Sequence, residues 1–201
     1  MHTLAILTSQ QGEARLSRYI KTAIDNRRLP NTKIGVVIGS EPDAAGLAMA
    51  QEFGIPNFCI NKTTHGVRRD AAIRDVLLEH GVELVLLVGY RKKVGPVLLQ
   101  AFPWRILNMH GAPIPQFGGK GLGGISAEEA VLAAGAPYTG PVIHIVNEEY
   151  DRGQILAHHP IKVGPTDTAE SLYTRCNDAG RELWVTTLQR VLIWLDYPED
   201  F

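Results

Sequence analysis

The chain has 201 residues, 45% of them hydrophobic and 20% charged, with a formal net charge of −1. That composition belongs to an ordinary folded domain and excludes a disordered or fibrous chain, while a charge so near zero supplies no basic field for nucleic acid or an anionic membrane. The length suffices for one substantial core, so a single domain over residues 1–201 with a small-molecule ligand is expected.

Apolar runs rich in Val, Ile and Leu recur at residues 2–7, 33–38, 83–88 and 104–108, with helical patterns near 14–24, 44–53, 68–80 and 95–101. Strands alternating with helices predict an α/β fold: a Rossmann-like, mostly parallel sheet flanked by helices, with ligands beyond the carboxyl ends of the strands. The run Leu4 to Leu7 is far too short for a signal-peptide core, and nothing later reaches the length of a membrane span. A cytoplasmic protein without a membrane partner is the expectation, and a homodimer is left open. Cys59 and Cys176 have neither metal-ligand spacing nor the density of a disulfide scaffold, and read as buried or bystander thiols.

After residue 110 the character changes. A Pro- and Gly-rich loop covers 111–124, a helix follows from about 126 to 134, and two strands at 141–146 and 154–163 flank a turn at 147–153. These give a C-terminal antiparallel strand pair, and residues 168–194 read as one long closing helix on which Trp184, Leu188, Val191 and Leu195 follow core spacing.

The motif richest in chemistry is Asn108-Met109-His110, read with Asp151. Side chains alternate along a strand, so Asn108 and His110 face the same way and offer a carboxamide donor and an imidazole to one substrate atom. A carboxylate nearby completes an acyl-transfer site. Taken singly, Asn108 and His110 are polar residues satisfied at a strand end and Asp151 is a turn former before Gly153; their order and surroundings decide otherwise. Gly119-Lys120-Gly121-Leu122-Gly123-Gly124 matches the dinucleotide-binding fingerprint in letters but not in placement, because Pro113, Pro115 and Gln116 precede it instead of a strand. Nor is it a Walker loop, since Gly121 stands where Ser or Thr is needed. His158 and His159 are neighbours in a predicted strand and cannot chelate one ion together. His144, on the strand before Asp151, fits either a supporting role at the site or a satisfied core histidine.

With Leu107-Asn108-Met109-His110 followed by Pro115-Gln116-Phe117-Gly118-Gly119-Lys120-Gly121, the chain resembles the folate-dependent formyltransferase family, in its glycinamide ribonucleotide formyltransferase branch. The spacings match from about residue 84 to 160. The resemblance implies a single catalytic domain using 10-formyltetrahydrofolate as formyl donor and a small-molecule amine as acceptor, with Asn108, His110 and Asp151 as catalytic residues. It further implies a flexible loop at 111–124 and a donor pocket lined by Arg91, Lys92 and Val94, with Val146 and Asp151 on the opposite wall, mostly through backbone contacts. A folate-binding sensor on the same scaffold is the non-enzymatic alternative, against which retention of all three catalytic residues argues.

The acceptor side departs from the family. The small-residue phosphate loop after the first strand is replaced by Thr8-Ser9-Gln10-Gln11-Gly12-Glu13-Ala14-Arg15; Gly111 follows the catalytic His in place of Pro. Glu128 replaces a His, and Gly180 aligns with a ribose-binding Glu. A carboxylate in a phosphate nest is repulsive unless Arg15 offsets it. The expectation is therefore an amine other than glycinamide ribonucleotide, contacted by Gly12, Glu13, Arg15 and Glu128; the alternative keeps the purine-pathway reaction.

Overall fold

Every residue of β1 (His2–Thr8) is buried, the pattern required of a strand covered on both faces. It pairs in parallel with β2 (Thr32–Gly39) on one side, and β2 pairs in parallel with β3 (Asn57–Cys59). The helices between these strands are α1 (Ala14–Asp25) and α2 (Ala45–Glu52), which pack together. A short α3 (Lys62–His65) and a single 3₁₀ turn lead into α4 (Arg69–Glu79), and β4 (Leu84–Leu87) then pairs in parallel with the other edge of β1. Pro96 opens α5 (Pro96–Ala101), where a missing amide costs nothing.

The computed structural model describes residues 1–9 and 14–197. Its chain forms two compact units, Met1–Leu107 and Asn108–Phe201. In the first, the strand order is β3-β2-β1-β4, so the ends of β1, β2 and β4 lie side by side. Strand β5 (Ile106–His110) carries the chain into the second unit, where the order is β5-β7-β8. There α6 (Ile125–Ala133) is followed by β6 (Tyr138–Thr139), β7 (Val142–Ile145), β8 (Ile155–His158), β9 (Ile161–Lys162) and α7 (Ala169–Asp196). Strands β7 and β8 are antiparallel, as are β6 and β9. A reciprocal capping box between Thr168 and Ser171 starts α7, which runs 28 residues. Among the described residues no helix is long and apolar enough to cross a membrane.

Two predicted strands move. The 104–108 run becomes strand only at Ile106, because Trp104 is exposed and turns with φ 62°, and the strand then continues through His110. The 154–163 run divides into β8 and β9 around Pro160, which has no amide for a ladder.

Candidate active site

Asn108 and His110 leave β5 on one side while Met109, between them, packs against α7. On α7 the facing residue is Gly180, where a Cβ would lie 2.5 Å from the Met109 Sδ; the methionine occupies the room that a side chain at 180 would need. His110 is buried, and its Nε2 donates to the Phe117 carbonyl at 2.7 Å, so that nitrogen carries a proton. The Nδ1 faces Asp151 Oδ2 at 3.6 Å. A ring protonated on both nitrogens thus finds an acceptor on each side.

Asp151 is brought to this point by the loop after β7. Its φ of 51° is left-handed, a conformation that Asp tolerates better than most residues. Two residues on, a Cβ at Gly153 would collide with the Ile145 carbonyl oxygen, so only glycine lets the loop close this tightly on β7. The β7–β8 register shifts between Ile143 and His144, the irregularity that places His144 in the site.

His144 Nδ1 donates to the Ile145 carbonyl at 3.0 Å, and in the neutral ring Nε2 then accepts from Asn108 Nδ2 at 3.1 Å. The second hydrogen of that amide points to Asp151 Oδ1 at 3.4 Å. His144 Nε2 is itself 3.5 Å from the same oxygen, and the other carboxylate oxygen accepts from the Gly119 amide at 2.9 Å. Burial opposes ionisation of Asp151. What outweighs it, and holds the carboxyl below its ordinary value, is His144 when its ring is protonated and Nε2 donates to the carboxylate instead of accepting from Asn108, the charge of a protonated His110, the Gly119 amide, and the charge of that same protonated His144.

The structure therefore brings Asn108, His110 and Asp151 into one cluster, places beside them His144, which the sequence leaves between a supporting role and the core, and adds two groups that sequence reasoning missed: the Phe117 carbonyl and the Gly119 amide. The signal for the last was Gly118-Gly119 itself. A Cβ at Gly118 would stand 2.7 Å from the Asp151 Cβ and 2.8 Å from Ile114 Cγ2, so the loop reaches the carboxylate only without one.

Among the expected donor residues, Arg91 and Lys92 are exposed, Val94 is buried and Val146 is half-buried just past β7. Of the expected acceptor residues, Arg15 is exposed in the first turn of α1, whereas Gly12 and Glu13 lie outside the described residues. Glu128 is not at a surface. It has no exposed area and accepts from Thr139 Oγ1 at 3.0 Å through Oε2, while Oε1 has no hydrogen-bond partner; burial pushes its carboxyl up, and the nearby Cys176 thiol and the Thr139 hydroxyl oppose this only in part. Its expected place as an acceptor contact is corrected to the interior of α6, below Gly111, where a Cβ would lie 3.3 Å from Oε1.

A model of the formyl transferase family matches residues 3–188. The phosphoribosylglycinamide formyltransferase, chloroplastic, of Arabidopsis thaliana is 43% identical over 159 residues, covering 77% of this chain and 54% of its own length. The phosphoribosylglycinamide formyltransferase of Haemophilus influenzae is 30% identical over 189 residues, 92% of this chain and 84% of that protein. Among solved structures, glycinamide ribonucleotide transformylase 1 from Symbiobacterium toebii superimposes with a TM-score of 0.85 at 29% identity, covering 94% of this chain and 86% of that one. The chain spans about half the length of the plant relatives it matches.

Proposed function

The chain belongs to the folate-dependent formyl transferase family, and from that premise we propose that it moves the formyl group of 10-formyltetrahydrofolate onto the amine of glycinamide ribonucleotide. The observation that carries this reading is the partly buried cluster in which Asp151 faces both His110 and the carboxamide of Asn108.

The amine nitrogen attacks the formyl carbon, giving a tetrahedral carbon that bears an oxyanion; the bond to the folate nitrogen then breaks, and one proton passes from the amine to that nitrogen. Both hydrogens of the Asn108 amide are engaged in the resting site, to His144 and to Asp151. The longer bond, to Asp151, is the one that the oxyanion replaces. A fixed donor of this kind is worth roughly 10²–10³ in rate. His110, anchored on Phe117 and faced by the carboxylate, holds the moving proton, a role worth roughly 10²–10⁴.

This replaces the sequence-based expectation of a different amine. The relatives that match across most of this chain bear the name phosphoribosylglycinamide formyltransferase, which supports the purine-pathway acceptor. Of the departures behind that expectation, Glu128 lies in the interior and Gly180 is filled by Met109. Steady-state kinetics with 10-formyltetrahydrofolate and glycinamide ribonucleotide test the proposal: release of tetrahydrofolate that requires both substrates is expected. Absence of turnover with this pair, together with failure of the gene to rescue a strain lacking the purine-pathway enzyme, refutes it.

A further inference from the structure

The segment 91–95, between β4 and α5, is gripped from two directions by carboxylates that no motif pointed to. On one side Asp70, in the first turn of α4, accepts from the Gly95 amide at 2.5 Å through Oδ2. Its Oδ1 accepts from Arg69 Nη2 at 3.0 Å and Nε at 3.2 Å, and Arg69 Nη2 in turn donates to the Lys93 carbonyl at 2.8 Å. Both side chains are largely covered, at 18% and 16% exposure for Arg69 and Asp70.

On the other side the Arg91 amide donates to Ser9 Oγ at 3.2 Å. A hydroxyl has one hydrogen, and the chain of contacts uses each in a single direction: Ser9 Oγ lies 2.7 Å from Ser40 Oγ, and Ser40 donates onward to Glu41 Oε2 at 2.5 Å. The other oxygen of Glu41 pairs with Lys92 Nζ at 2.7 Å, which closes the circuit on the segment where it began. Ser9 follows β1 and Ser40 follows β2, so the ends of three neighbouring strands are tied together.

These bonds take up the Arg91 amide, the Lys93 carbonyl and the Gly95 amide, and none of the backbone groups of Lys92 and Val94. We infer that Asp70 and Glu41 are positioning residues for the formyl donor: they fix segment 91–95 so that the backbone groups of Lys92 and Val94 stand ready for its planar ring. The inference rests on the donor reading of this segment in the proposed function. A segment already held in its binding conformation loses less freedom on binding, and the benefit appears as affinity. The two grips are unequal. An exposed ion pair such as Glu41–Lys92, at 35% and 42% side-chain exposure, contributes little, whereas the covered Asp70 bonds directly to backbone.

The experiment is calorimetric titration of tetrahydrofolate into the wild-type protein and the variants Asp70→Ala, Asp70→Asn and Glu41→Ala, with KM for 10-formyltetrahydrofolate measured alongside. Asp70→Ala should bind about tenfold more weakly and Glu41→Ala about threefold. Asp70→Asn keeps an acceptor for the Gly95 amide and should recover most of the affinity. KM for the donor should rise in parallel while kcat at saturation stays within about twofold, a split that general destabilisation does not produce. Wild-type affinity in a folded Asp70→Ala overturns the inference; should that variant fail to fold, Glu41→Ala decides, and wild-type affinity there overturns it. A wild-type protein that does not bind tetrahydrofolate instead overturns the donor reading beneath it.

Discussion

Asp151 is a largely covered carboxylate of the second unit and Glu128 a fully buried one, yet their surroundings push their ionisation in opposite directions. Around Asp151 stand two imidazoles and a backbone amide, and these outweigh the cost of burial so that the carboxyl ionises more readily than usual. Around Glu128 there is the cost of burial, only partly offset by the thiol of Cys176 and the hydroxyl of Thr139, and its carboxyl is pushed up. Burial alone therefore does not fix the direction in which a carboxyl shifts. What distinguishes Asp151 is that its partners can carry positive charge and sit beside an amide able to meet an oxyanion.

The strongest way to break this contrast is to remove the groups that Asp151 organises. His110→Ala and Asn108→Ala should each lower kcat by roughly 10² or more while tetrahydrofolate affinity stays near the wild-type value, because their contacts with the substrate form chiefly in the transition state. Near-normal kcat in either variant removes that residue from the proposed mechanism.

The sequence made the Asn108–His110 pair legible because a strand's two-residue period survives small errors in its bounds. Strand β5 lies two residues later than predicted, and both side chains still share a face. Short strands were illegible for a related reason: β3 has three residues and β6 has two, too few to show any period. Comparison with the family also misleads at Glu128. A carboxylate where the family has a His reads as an acceptor contact, and the groups that surround it, the Thr139 hydroxyl and the Cys176 thiol, meet it only in the fold. The grips on segment 91–95 were hidden likewise, since Asp70 and Gly95 are 25 residues apart.

A subtler break leaves every polar group in place and moves only the carboxylate. In Gly118→Ala the new methyl is too close to both the Asp151 Cβ, at 2.7 Å, and Ile114 Cγ2, at 2.8 Å, and neither belongs to the far end of a long flexible side chain. We expect kcat to fall about tenfold, since misplacement of a catalytic group by an ångström can cost up to roughly 10²-fold. Donor affinity, read by titration, should change little. Wild-type kcat in Gly118→Ala means that Asp151 tolerates displacement and is not held to a fixed position.

The smallest effect sharpens the comparison by reading both carboxylates through stability. Below the ordinary carboxyl range Glu128 is protonated in folded and unfolded chains alike, so it adds no pH dependence there. As pH rises past that range the unfolded chain releases its proton while the folded protein retains it, and stability falls until the raised value of Glu128 is passed. Asp151 runs the other way: its contribution is present above the ordinary range and is lost as pH falls through its lowered value. Glu128→Gln keeps the shape and an acceptor for Thr139 but cannot ionise. Its Tm should therefore gain on the wild type as pH rises above the ordinary carboxyl range, the gain growing until the raised value of Glu128 is passed and then levelling off. Asp151→Asn should leave that alkaline difference unchanged and instead flatten the loss of stability in acid. Parallel Tm curves for the wild type and Glu128→Gln across the range would mean that Glu128 is ionised in the folded protein, and the contrast between the two carboxylates would collapse.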